Sequence, residues 1–153
     1  MDVFIEIKRL LEKHECDYSV SDHEPTPTSA DAARVRNTPI EQGAKAIVLR
    51  SEGRFLMCVL PGNKKIDLKK IKAILDSKSV SLAASEEVLK TVHCRIGSVP
   101  PFGNIFKIPV YIEKSLLLSD KISFNAGMLT RSITMKTEDY LEIVKGNIEE
   151  FSA

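Results

Sequence analysis

The stretch from Ala44 to Leu60, AKAIVLRSEGRFLMCVL, decides the fold. Its two apolar runs, Ala44 to Arg50 and Arg54 to Leu60, are rich in Val, Ile, Leu and Phe, with Ser51-Glu52-Gly53 between them as a turn. Such runs predict a hairpin buried on both faces, and therefore two central strands. Lys45 breaks the apolar pattern. Strand alternation puts it on the same face as Ile47 and Leu49, at the entry of the buried strand. Taking an ammonium out of water is costly even after the surroundings relax, so a bound phosphate or carboxylate would offset that cost. The plain alternative is a lysine whose stem packs on the sheet while its head reaches solvent.

Working outward from the hairpin, Thr38-Pro39-Ile40-Glu41 reads as a capping box with proline at the first helical position, and Gly43 stands where that turn would stop. Upstream, SADAARVRN reads as a short helix capped by Ser29, and Ser21 to Ser29, SDHEPTPTS, as a semi-rigid proline loop. Val3, Ile7, Leu10 and Leu11 recur at helical spacing, predicting an amphipathic helix that ends near His14. Downstream, Asp67 can cap a helix with Leu68, Ile71, Ile74 and Leu75 inward and Lys65, Lys69, Lys70 and Lys72 outward, and a second helix starts at Ser85. GSVPPFG, from Gly97 to Gly103, is a glycine-bounded proline loop. After it KIPVYIEKS, KISFN and RSITM read as short strands, and TEDYLEIVKGN as a helix with a Thr cap. Strands that come in hairpins rather than in strict alternation with helices predict a single α+β domain over residues 1–153, with a curved, mainly antiparallel mixed sheet packed with helices.

Composition narrows the function classes. With 22 Lys+Arg against 21 Asp+Glu, any nucleic-acid partner must be held by a local patch rather than by a globally basic surface. The absence of Trp and the 6% aromatic content argue against a base-stacking platform for single strands. No run approaches a membrane span, and the N-terminal residues scatter acids and bases where a signal peptide needs an apolar stretch, which predicts a cytoplasmic protein without a membrane partner. Cys16, Cys58 and Cys94 form neither a disulfide framework nor a zinc pattern, and His14 with Cys16 or His93 with Cys94 lacks chelating spacing, so no metal is expected.

The remaining candidates for chemistry are local. The GSVPPFG loop has backbone N–H groups at Gly97, Ser98 and Val99 able to meet an oxyanion or carbonyl, or it is a rigid structural turn. His23, beside Glu24, is either an acid/base or substrate-binding group or an exposed loop histidine. Asn125-Ala126-Gly127 is a turn whose Asn amide could meet a polar ligand. Lys64, Lys65, Lys69, Lys70, Lys72 and Lys78 form a basic cluster that could steer a phosphate backbone or serve only as a solvated helix face.

Taken in order, the His23 to Ser29 loop, EQGAKAIVLR with Lys45, FLMCVLPGNKKIDLKKIK, GSVPPFG and FNAG resemble the YbaK/EbsC and prolyl-tRNA synthetase-associated editing domain family, over about Tyr18 to Leu141. The resemblance implies a curved, barrel-like α+β domain whose mouth receives the aminoacylated 3' end of tRNA. It also implies an enzyme that hydrolyses the ester of mischarged aminoacyl-tRNA without a cofactor. With no synthetase body in the sequence, the free-standing kind is expected, with a synthetase as a possible partner and no role for DNA. By the same resemblance, Lys45 is the essential lysine that neutralises the terminal adenosine phosphate. Gly97 and Pro101 match a Gly followed four positions later by Pro, with Gly103 closing the loop. Ser98 and Pro100 stand where relatives often carry Gly and Ser. Asn125 and Gly127 match the late turn of the pocket, and His23 a histidine of some branches.

An aminoacyl ester is already activated, so no Ser, Cys or metal nucleophile is required. The expected mechanism has loop N–H groups orienting the carbonyl and Lys45 anchoring the phosphate, while water or the substrate's own side chain attacks. Ala, Cys and Pro derivatives are the small amino acids that the resemblance suggests. Two other readings are a non-catalytic module that docks on tRNA or a synthetase through the lysine-rich helix, and a thiol-dependent hydrolase using Cys16, Cys58 or Cys94.

Overall fold

A computed structural model describes residues 1–153. The hairpin is its centre: β2 (Ala44–Ser51) pairs antiparallel with β3 (Arg54–Pro61) in register from Ala44 opposite Pro61 to Ser51 opposite Arg54. β3 is buried on both faces. Leu56, Cys58 and Leu60 face Ile71 and Phe151, whereas Met57 and Val59 join the main core. β2 departs from the expected two-sided burial, because Lys45, Ala46 and Ile47 are only half-buried where a cavity opens beside them.

The α+β class is as expected, but the strands form two open sheets rather than one curved, barrel-like sheet. The first is a wholly antiparallel sheet in the order β1-β7-β6, built from β1 (Tyr18–Asp22), β7 (Arg131–Lys136) and β6 (Lys121–Asn125). The second runs β4-β2-β3-β5-β8, adding β4 (Ser81–Leu82), β5 (Val110–Glu113) and β8 (Asn147–Glu149). Here β5 pairs parallel with both β3 and β8, while the other four pairings of the fold are antiparallel, so the strands are mixed and mainly antiparallel as expected. Each parallel pair is joined by a long crossover that contains other strands and helices, as parallel strands require, and not by a tight turn. A single parallel bridge, Gly43 to Ser123, stitches the two sheets where β2 begins.

The helices fall close to their expected places. Asp2 caps α1 (Val3–Lys13), with Val3, Ile7 and Leu11 buried, and Asp67 caps α3 (Leu68–Leu75) by accepting from Lys69 N and Lys70 N. α4 (Ser85–Val92) begins with Glu87 accepting from Ala84 N at 2.9 Å. The details differ at four places. Ser21 and Asp22 lie in β1 rather than in the proline loop; this edge strand is almost wholly exposed and carries no burial pattern to betray it. α2 (Ser29–Arg36) is capped by Thr28, not Ser29, through the Asp31 N–H at 3.1 Å. Ile40–Gln42 is a 3-10 turn with Pro39 at the cap position, so Thr38 sits one residue too early to cap it and its buried hydroxyl has no partner. α5 (Thr137–Val144) starts after Lys136; the Thr137 hydroxyl donates instead to the Ser119 carbonyl at 2.6 Å, and β8 follows the helix.

The Gly97–Gly103 loop is anchored at its C-terminal end. Phe102 is fully buried and packs edge-on against Phe124 and Tyr140, with ring centroids 5.4 and 5.3 Å away. The Tyr140 hydroxyl donates to the Pro101 carbonyl at 2.6 Å, and a Cβ on Gly103 would lie 2.5 Å from Val110 Cγ2. No helix is long and apolar enough to cross a membrane.

Candidate functional site

Where the two sheets meet, a cavity of about 190 Å³ opens between α2, the start of β2, the Gly97 loop and the end of β6. Its walls include Thr26, Arg36, Lys45, Gly97, Val99 and Asn125, and no carboxylate is among them. The volume lies below the roughly 300 Å³ at which drug-sized ligand pockets begin, so the cavity accepts a small group.

Lys45 reaches this cavity from β2. Its Nζ donates to the Gly62 carbonyl at 3.3 Å. Burial and, after it, the nearby Lys65 push the ammonium below its ordinary pKa, so an anion at this point would be stabilised. Across the cavity, the loop offers the N–H groups of Gly97 and Val99, neither of which has a partner within the chain. Gly97 has φ +90°, a conformation that L side chains rarely adopt, so glycine is required there.

Asn125 ties the site together. Its Nδ2 donates to the Gly97 carbonyl at 2.8 Å, and its Oδ1 accepts from Arg36 Nη2 at 2.9 Å. Arg36, at the C-terminal end of α2, is the residue that sequence reasoning missed. Its Nε donates to Ser132 Oγ at 2.8 Å and its Nη1 weakly to the Ser123 carbonyl at 3.5 Å. No acid pairs with it, and burial lowers its pKa to about 10. The SADAARVRN segment gave only a short polar helix; that its last arginine folds inward depends on β6 and β7, about 90 residues away in the chain.

Of the residues singled out from sequence, Lys45, Gly97, Val99 and Asn125 line the cavity, whereas His23, Ser98, Pro101, Gly103 and Gly127 do not. Ser98 closes on its own loop: its N–H and hydroxyl both donate to the Arg95 carbonyl, at 3.0 and 2.8 Å, so neither meets a ligand. Gly127 donates its N–H to the Ser98 carbonyl at 3.0 Å, and its φ of +91° and close approach to Val3 require a glycine. The late turn therefore clasps the loop from behind. His23 backs the network: Nδ1–H donates to the Glu24 carbonyl at 2.8 Å, which leaves Nε2 to accept the Ser132 hydroxyl at 2.6 Å in the neutral ring.

The thiols stand apart. None lines the cavity, and burial pushes Cys58 up to about 12 and Cys94 up to about 11, away from the nucleophilic thiolate. Cys16 is raised as well, by burial and then by the charges of Asp139, Glu142 and Asp17. His14 and His93 sit at the ends of α1 and α4, and no group of three or more His, Cys, Asp or Glu side chains is arranged to hold a metal ion.

Fold and site together define an α+β domain with a small cationic pocket, walled by a glycine-proline loop and lined by no cysteine, and by no histidine or carboxylate that could activate a hydroxyl. Such a pocket suits an anionic or strongly polarised ligand rather than covalent catalysis. The chain belongs to the aminoacyl-tRNA editing domain family, whose model matches residues 23–143. It is 31% identical over 147 residues to the multifunctional Ser/Thr-tRNA deacylase ProXp-y of Escherichia coli K12, covering 93% of this chain and 88% of that one. The proline–tRNA ligase of Thermosipho africanus is 32% identical over 76 residues, which are 50% of this chain but 14% of the ligase. Among solved structures, a candidate trans-editing enzyme for prolyl-tRNA synthetase superposes with a TM-score of 0.88 at 20% identity, covering 100% of this chain and 98% of the other. The hypothetical protein APE2540 gives 0.88 at 19% identity, over 97% and 99% of the two chains. These likenesses in structure speak for the fold.

Proposed function

We propose that this protein is a trans-editing hydrolase that cleaves the ester of misacylated aminoacyl-tRNA, with Lys45 and the Gly97 loop as its working parts. The observation that carries this reading is the pairing, across one small cavity, of a half-buried ammonium without a counter-ion and two unpartnered backbone N–H groups. In the reaction, Lys45 binds the terminal adenosine phosphate and fixes the ribose at the mouth. Water adds to the ester carbonyl carbon, and the N–H groups of Gly97 and Val99 stabilise the oxyanion that develops. Collapse breaks the bond to the ribose oxygen, which takes the proton released by the water, and the free amino acid and intact tRNA leave. The ester's intrinsic reactivity and the positioning of its carbonyl supply what a nucleophile would otherwise add.

Beyond the cavity, Lys65 lies close enough to Lys45 to act on its charge, and Lys65, Lys69, Lys70 and Lys72 are exposed on and before α3, where they suit the phosphates of an acceptor stem. The name of the Escherichia coli relative suggests seryl- and threonyl-tRNA as substrates, ahead of the Ala, Cys and Pro derivatives expected from sequence. The likeness to a segment of proline–tRNA ligase supports a synthetase as the source of the mischarged tRNA.

The test is release of labelled amino acid from a panel of correctly and wrongly charged tRNAs, comparing wild type with Lys45→Ala. Lys45→Ala should nearly abolish release while leaving the circular dichroism spectrum and melting temperature unchanged. Undiminished turnover in that variant would remove Lys45 from the mechanism, and no release from any tRNA by wild type would favour the docking module.

A further inference from the structure

The proposed reaction does not use Arg36, yet its guanidinium is the most enclosed charge of the cavity. A guanidinium carries five N–H donors. Those to Ser132, Ser123 and Asn125 account for three, leaving one N–H on each terminal nitrogen without a partner in the protein. Nearby in the wall is Thr26, buried, whose hydroxyl donates to the Leu129 carbonyl at 3.2 Å and so keeps its lone pairs available. The buried side of the cavity thus presents both strong donors and an acceptor.

The bulky adenosine must stay at the mouth, joined to the rest of the tRNA, so the group that reaches Arg36 is the aminoacyl side chain. We infer that Arg36 is a specificity-determining residue, which with Thr26 forms a subsite for a hydroxyl on that side chain. A hydroxyl accepts from an Arg36 N–H and donates to Thr26 Oγ1, meeting both. A methyl group leaves the desolvated guanidinium with an unmet donor, and a carboxylate has no proton for Thr26. Sites built to bond a substrate hydroxyl reject analogues that lack it far more strongly than purely apolar pockets discriminate by size. This inference rests on the editing reading for the identity of the ligand, but not for the chemistry of the subsite.

The experiment has two arms. In the first, kcat/KM is measured for seryl-, threonyl- and alanyl-tRNA with wild type, Arg36→Met and Arg36→Lys. Arg36→Met should lower the values for serine and threonine by roughly a hundredfold, the scale of a lost charged hydrogen bond, and that for alanine only a few-fold. Arg36→Lys, which keeps charge and donors, should recover part of the preference. Equal losses for all three substrates would mean that Arg36 only braces Asn125 and Ser132, and would overturn the inference, as would an unchanged preference. In the second arm, calorimetry measures binding of amide-linked 3'-seryl- and 3'-alanyl-adenosine to the same proteins. An Arg36-dependent preference for the seryl analogue upholds the subsite even if wild type hydrolyses nothing, whereas equal binding of both analogues to wild type refutes it. Should Arg36→Met fail to fold, Arg36→Lys and wild type decide the outcome in both arms.

Discussion

Glu113 offers a perturbation whose size follows from the structure. It is 3% exposed, at the end of β5, and accepts four hydrogen bonds: from Ser115 N at 3.0 Å, Ser115 Oγ at 2.6 Å, Phe151 N at 2.9 Å and Ser152 N at 3.0 Å. Burial by itself pushes this carboxyl up, but the four donors outweigh it and hold the pKa at about 2 against an ordinary 4.5. By linkage that difference corresponds to about 3 kcal/mol of stability. The sign follows from the depressed folded-state value: the contribution is complete above pH 4.5 and is lost as pH falls toward about 2. Near pH 3, about 2 kcal/mol of it has gone. Glu113→Gln removes the titration and sets an amide donor against N–H groups, freeing the C-terminal residues whose Phe151 is fully buried between β3 and α3. The chain has no tryptophan, so urea unfolding is best followed by circular dichroism, for both proteins from pH 7 to pH 3. The stability gap should narrow by about 2 kcal/mol across that range. A gap that stays constant with pH would refute the assignment of the carboxylate to this latch.

Two further expectations concern the loop and the thiols. Tyr140→Phe leaves the buried Pro101 carbonyl without its donor and should cost about 1–3 kcal/mol of stability, read from the shift of the urea midpoint; an unchanged midpoint would show that the loop is anchored by Phe102 alone. Alkylation with a maleimide at neutral pH should modify Cys16, the half-exposed thiol, and leave deacylation intact, since no cysteine lines the cavity. Inactivation in step with labelling, followed by mass spectrometry, would revive a thiol mechanism.

Much of the frame is legible in the sequence because its signals are local. The hairpin, the Asp67 cap and the periodicity of α1 and α3 depend on neighbours within a turn or two, and all stand where their residues put them. β4 and β8 leave no signal in the sequence: one is two residues long, the other is a three-residue edge strand, and neither carries a burial pattern. The parallel seating of β5 between β3 and β8 depends on where long crossovers return, which no local pattern records.

At the site, the division is similar. Lys45, Gly97, Val99 and Asn125 were legible because each violates or punctuates its local pattern: a charge in an apolar strand, a glycine-proline loop, a turn after a strand. Arg36 was not, since an arginine at the end of a polar helix is ordinary in sequence. Only the tertiary structure turns it inward, because Asn125 and Ser132, brought over it by the pairing of β6 with β7, supply the acceptors that a guanidinium needs away from water. The sequence by itself thus determined the elements and the residues that break their rules. The meeting of the two sheets decided which of those residues share a cavity, and gave Ser98, Pro101, Gly103 and Gly127 the task of holding its loop in place.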